Sequence, residues 1–130
     1  MSRRDARDVA FKLIFEYTFT KEKKDDMIEE YTTDMPFDDD DKAYINEVYQ
    51  GVVAHYDELV KKIADNSLNF SIDRVFKVDL ALMLLAIYEI EYMESIPYKV
   101  SVNEALDLAK KYSTEKSVKY VNGVLSKFAR

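Results

Sequence analysis

Residues 97–125 read PYKVSVNEALDLAKKYSTEKSVKYVNGVL. Its apolar residues fall at helical spacing almost throughout. Ser101 and Glu104 stand at the S-x-x-E spacing of a capping box, so the first expectation is a helix that starts at Ser101. Val102, Ala105, Leu106 and Ala109 then recur at helical spacing and form an apolar stripe that needs a partner surface. Lys110 and Lys111 fall in the last turn, where the helix dipole favours cations. Ser113 and Thr114 supply a break, and either Thr114 or Ser117 can cap a second helix. That helix turns Val118, Val121, Val124, Leu125 and Phe128 inward and leaves Lys116, Lys119 and Lys127 outside. Asn122-Gly123 ordinarily marks a turn, yet the apolar spacing runs through it. Close helix packing at Gly123 is therefore the preferred expectation.

Working outward, Val75 to Ile90 is the most apolar segment of the chain. Val78, Leu82 and Leu85, with Tyr88 or Glu89, mark one face, and Leu80, Leu84 and Ile87 fill another. A helix apolar nearly all round belongs at the centre of a bundle. Ser71 is the expected cap before it, and residues 66–71 are the expected hinge between two halves, about 1–67 and 68–130. A first helix over residues 5–17 buries Val9, Ala10, Leu13, Ile14 and Tyr17 on one face. A short helix over Asp25–Tyr31 follows, with Ile28 and Tyr31 inward. The run Asp38 to Asp41 lacks the alternation, Gly and terminal Glu of a calcium loop and suits the positive end of the next helix. That helix carries Tyr44, Ile45, Val48, Tyr49 and Val52 and breaks near His55-Tyr56 before Leu59, Val60, Ile63 and Ala64.

With 130 residues, two Gly, two Pro and no Cys, the chain reads as a single all-α domain of about seven helices, without disulfide or thiol chemistry. No apolar run is long enough for a membrane span, and the charged start does not resemble a secretory signal, so a cytoplasmic location is expected. No metal or cofactor is expected, because His55 is the sole histidine and there is no Gly-rich phosphate loop. Nor does any carboxylate pair or nucleophile constellation point to an enzyme.

The net charge of −6 is unevenly spread. Residues 1–12 carry +2, residues 99–130 carry +4, and the 86 residues between them carry −12. Such polarity allows a basic face for phosphates and an acidic face for a basic partner. Arg3, Arg4 and Arg7 stand at a helix N-terminus, where cations oppose the dipole. Guanidinium forks match phosphates bidentately, which gives such placement a functional rationale. Plain surface solubility is the competing explanation of all these charges.

The stretch IPYKVSVNEALDLAKKYSTEKSVKYVNGVLSK resembles the C-terminal signature of the bacterial transcription antitermination factor NusB family, V-P-Y-K-V-x-I-N-E-A followed by K-F-V-N-G-V-L. LLAIYEIEYMESIPYKV is similar to the family's L-R-L-A-I-Y-E-L leading into V-P-Y-K-V, with Leu84 where many members carry Arg. RRDAR at residues 3–7 resembles the family's R-R-x-A-R start. The resemblance implies two small helical bundles packed at an angle. It also implies binding of boxA-type single-stranded RNA together with NusE, a small-subunit ribosomal protein, so that RNA polymerase reads through termination signals, notably in rRNA operons. By this resemblance the RNA surface maps onto Arg3, Arg4, Arg7, Tyr112, Lys116, Ser117, Lys119 and Tyr120. Cations along a backbone and aromatic rings beneath bases suit a single strand. For Tyr112, half-buried packing is an equally good explanation. The NusE side maps onto Asp73 and Asp79, with Glu89 as a further contributor and Tyr88 better explained by packing. Members occur as monomers or self-associate, so a homodimer stays open. Two alternatives remain: a helical protein–protein interaction domain without an RNA role, and a stand-alone relative of the RNA-binding module of rRNA cytosine methyltransferases.

Overall fold

A computed structural model describes residues 2–67 and 71–129. Seven α-helices follow one another: α1 (Arg3–Thr20), α2 (Asp25–Thr32), α3 (Asp39–Ala54), α4 (Tyr56–Asp65), α5 (Lys77–Tyr92), α6 (Tyr98–Tyr112) and α7 (Glu115–Leu125). One turn of 3₁₀ helix, Ile72–Arg74, precedes α5, and another, Ser126–Phe128, follows α7. There is no strand among the described residues.

Helix α5 is the axis of the molecule. Every residue from Asp79 to Ile90 is buried, because α1, α3, α4, α6 and α7 all pack against it. A helix without a polar face is stable in water only when covered on all sides, which is what its sequence demanded. Leu84 is fully buried among these apolar neighbours. It therefore needs no replacement for a polar contact made by an arginine. Helix α1 lies across both α3 and α5 and brings Val9, Ala10, Leu13 and Ile14 into the same core.

Local chemistry sets the helix ends. Ser2 and Asp5 form a capping box at α1: the Asp5 amide donates to Ser2 Oγ at 3.2 Å and the Ser2 amide to Asp5 Oδ2 at 2.8 Å. The carboxylate beside the helix start offsets the unfavourable placement of Arg3 and Arg4. Helix α1 closes on Lys21 at φ 54°, whose amide returns to the Tyr17 carbonyl at 2.9 Å. Asp38 caps α3 by accepting from the Asp41 amide at 2.8 Å, so the acidic run serves a helix N-terminus.

Two expected helix starts change. Helix α6 starts at Tyr98 with Pro97 as its cap, so Ser101 and Glu104 lie inside the helix and are free to bond across to other elements. The Pro ring fixes φ near −60° and starts the helix one turn early. Helix α5 starts at Lys77 behind Phe76, and Ser71 opens the 3₁₀ turn without a side-chain cap bond. Of the expected hinge, residues 68–70 lie outside the described residues. Of the two candidate caps for α7, Thr114 is used, its Oγ1 accepting from the Ser117 amide at 3.1 Å.

Helix α7 does run through Asn122-Gly123, but a Cβ placed on Gly123 would meet nothing within 4 Å. The close approach expected there occurs instead at Gly51 of α3, where a Cβ would lie 2.1 Å from the Tyr88 ring. Tyr88 is thus a core side chain, seated on a helix that offers it bare backbone.

Candidate nucleic-acid interface

The N-terminal arginines are brought to one end of the molecule, but each meets carboxylates there. Arg3 Nε donates to Asp41 Oδ1 at 2.7 Å, and its guanidinium lies 4.6 Å from the centre of the Tyr44 ring. The Arg4 side chain is 70 % exposed and reaches Glu104 at 2.9 Å and Asp107 at 3.2 Å. Arg7 is only 5 % exposed. It grips Glu89 bidentately, with Nε to Oε2 at 2.8 Å and Nη2 to Oε1 at 3.1 Å, and also faces Glu104 at 3.4 Å. Burial lowers the Arg7 pKa, but the hydrogen bond to Glu89 and the surrounding negative charge hold it above its ordinary value.

Arg7 therefore does not share the solvent face of Arg3 and Arg4. One turn beyond Arg3 and Arg4, it falls on the side of α1 that packs on α5, and Glu89 waits there. Glu89 is 1 % exposed and also accepts from the Tyr44 hydroxyl and, at 2.8 Å, from Ser101 Oγ. Every lone pair that matters on this carboxylate has a donor, which is how a buried charge survives. Burial, followed by the Glu89 charge, pushes the Tyr44 hydroxyl well above its usual pKa, so it stays a donor. Glu89 is thus a cross-bundle anchor and not a surface for a protein partner.

Asp79 is buried as well. It accepts from Ser113 Oγ at 3.0 Å and from Ser117 Oγ at 2.7 Å, tying the start of α5 to the α6–α7 connection. Ser117 is buried too, so the polar atoms of both side chains are engaged within the fold. The family resemblance assigns both to binding surfaces, and a Ser hydroxyl that caps cannot be told in sequence from one that bonds inward. Asp73, in contrast, is exposed.

The remaining residues of the expected RNA surface stand on or near α7. Lys116 and Lys119 are exposed, and Tyr120 is half-buried with its hydroxyl against Ser67 Oγ. Tyr112 stacks on Phe11, with ring centres 5.1 Å apart, and donates to Asp8 Oδ1 at 2.6 Å. Burial raises the Asp8 pKa, but hydrogen bonds from Tyr112 and Lys12 outweigh it and hold the carboxyl below its usual value. Among the described residues, Lys116 and Lys119 have no carboxylate within 4.0 Å.

A cleft of about 170 Å³ opens beside them, lined by Arg74, Val75, Phe76, Asp79, Lys116, Ser117 and Tyr120. Arg74 and Phe76 were not singled out from the sequence. Phe76 precedes an apolar helix and looks like its first core residue, yet it is exposed. Only the break at Val75-Phe76, set by where α5 begins, turns it outward.

The geometry can now be set beside known proteins. The NusB family model matches residues 4–130. The chain belongs to the NusB family. The transcription antitermination protein NusB of Clostridium novyi (strain NT) is 41 % identical over 127 residues, covering 96 % of each chain. That of Acetivibrio thermocellus is 36 % identical over 130 residues, covering all of this chain and 90 % of the relative. Among solved structures, T. maritima NusB superposes with a TM-score of 0.88 at 30 % identity, covering 99 % of this chain and 91 % of that one. The NusB chain of a complex of antitermination factors NusB and NusE with dsRNA gives 0.85 at 28 %, covering 97 % and 94 %. This agreement spans α1 to α7, well beyond the two NusB-like segments legible in the sequence.

Proposed function

We propose that the protein is a transcription antitermination factor that binds boxA-type single-stranded RNA together with NusE and promotes read-through by RNA polymerase, notably in rRNA operons. Its family membership supports this function, and a NusB relative is seen with NusE and RNA. The observation that carries the RNA surface is the α7 patch, where Lys116 and Lys119 lack carboxylate partners among the described residues and Tyr120 lines the same cleft as Lys116. Such cations are ready to take phosphates, and a ring among them can lie under a splayed base. Arg3, Arg4 and Tyr112 extend the surface along α1 and α6, while Arg7 and Ser117 support it from inside. Asp73 is the acidic residue left facing solvent for the basic partner. We place the activity in the cytoplasm; no helix among the described residues is long and apolar enough to cross a membrane.

The test is titration of boxA-type RNA and a scrambled strand, each with and without NusE, at several salt concentrations. Tighter binding of the boxA strand, strengthened by NusE, is expected. Each single-strand phosphate contact adds about 0.7 to the slope of log affinity against log salt. Lys116→Ala with Lys119→Ala should therefore lower the slope by about 1.4. Equal, weak binding of both strands, unmoved by NusE or by these substitutions, would sink the reading in favour of a protein–protein interaction domain.

A further inference from the structure

Phe76 is 62 % exposed, more than any other large apolar side chain among the described residues. One exposed apolar residue needs no explanation by itself. Its surroundings are what set it apart. Phe76 and the half-buried Tyr120 line the same cleft, and Arg74 and Lys116 stand on its walls. Neither cation has a carboxylate within 4.0 Å among the described residues. The one acid of the cleft, Asp79, is buried and held by the hydroxyls of Ser113 and Ser117. The floor is rigid: Tyr120 is tied to Ser67, and Ser117 to α5.

We propose that this cleft is a base-stacking slot, in which Phe76 and Tyr120 take an unstacked nucleobase of single-stranded RNA while Arg74 and Lys116 hold the phosphates beside it. This rests on the RNA-binding function proposed above and adds Arg74 and Phe76 to its surface. An apolar cleft walled by unpaired cations fits a flat apolar ring carried on an anionic backbone. A basic protein partner would meet like charge there.

Phe76→Ala should weaken binding of the boxA-type strand about tenfold without changing its salt slope, since stacking releases no counterions. Arg74→Ala should lower the slope by about 0.7. An RNA with abasic sites should bind Phe76→Ala and the unaltered protein alike, yet still lose affinity with Arg74→Ala. The chain contains no Trp, so Phe76→Trp installs a single indole at the slot. That variant should bind at least as well as the unaltered protein, and RNA should quench its emission. Because Phe76 is exposed, neither variant should shift the unfolding midpoint. Unchanged RNA affinity in Phe76→Ala, or unquenched emission at saturating RNA, overturns the slot even if the protein binds boxA-type RNA. Loss of NusE binding with RNA binding intact also overturns it and makes the cleft a protein face. If the unaltered protein shows no preference for the boxA strand, the functional reading falls and the slot with it.

Discussion

The two basic regions of the chain look alike in sequence and behave differently in the fold. At the start of α1, three arginines are matched by Asp41, by Glu104 with Asp107, and by Glu89. Along α7, in the second region, Lys116 and Lys119 have no such partners among the described residues. Counting charges along the chain gives both ends a positive balance. Folding commits most of the first balance to holding α1 to α3, α5 and α6; of the second it ties Lys110 to Asp107 and Lys111 to Asp8, and leaves Lys116 and Lys119 for solvent or ligand. Positive sequence charge is thus a poor guide to positive surface until the carboxylates that reach it are known.

The largest way to break this contrast is to remove the deepest of the N-terminal arginines. Arg7→Ala leaves the Glu89 carboxylate buried with only Tyr44 and Ser101 as donors. Loss of one partner of a buried ion pair costs about 3–5 kcal/mol. The same substitution of Lys116 should change stability by less than about 0.5 kcal/mol, as befits an exposed residue. Urea unfolding of both variants decides it. If Arg7→Ala unfolds at the midpoint of the unaltered protein, Arg7 is not the anchor described here and returns to the candidate RNA surface.

A second pair of substitutions tests the same inside–outside distinction on backbone. Gly51→Ala drives a methyl group into the Tyr88 ring and should cost about 1–3 kcal/mol. Gly123→Ala meets open space at an exposed position of α7 and should stabilise by up to about 1 kcal/mol. Thermal melts of the two variants should move in opposite directions. A shared direction would mean that α7 is not helical through Gly123, or that Tyr88 swings away from α3 at little cost.

Periodicity carried the fold well, for a physical reason. The stripe of α1, the all-round apolarity of α5 and the break at His55 each follow from burial, and burial is written in hydrophobic spacing. The family-like segments supplied the rest of the fold reading. Polar residues were harder to place. Ser101, Glu104, Ser117, Asp79 and Glu89 all have the composition of caps and surface, yet their partners lie 12 to 100 residues away. A side chain's role in such a network depends on which distant helix faces it, and spacing within its own helix is silent on that. Phe76 shows the converse. Its apolar character argued for the core, and only the point at which α5 begins sets it in water.

The smallest expected effect is the most specific to the contrast. Arg4 is exposed but occupied, so a phosphate that binds it must first displace Glu104 and Asp107. Glu104 also serves Arg7, whereas among the described residues Asp107 reaches only Arg4 and, at 4.0 Å, Lys110. Asp107→Asn therefore removes one of the two carboxylates that hold Arg4 and leaves the buried pair undisturbed. Exposed ion pairs are worth about 0–1 kcal/mol, so boxA-type RNA should bind up to about fivefold more tightly at low salt. The gain should fade as salt rises, because the pair it removes is itself screened. Any lost carboxylate helps an anionic ligand a little, so Glu115→Gln, which is not among the carboxylates that reach Arg4, serves as the matched control. Arg4→Ala combined with Asp107→Asn should bind no better than Arg4→Ala alone. A gain that survives the loss of Arg4, or one that Glu115→Gln reproduces, would show that Asp107 acts through the general field and not by occupying an arginine that RNA needs.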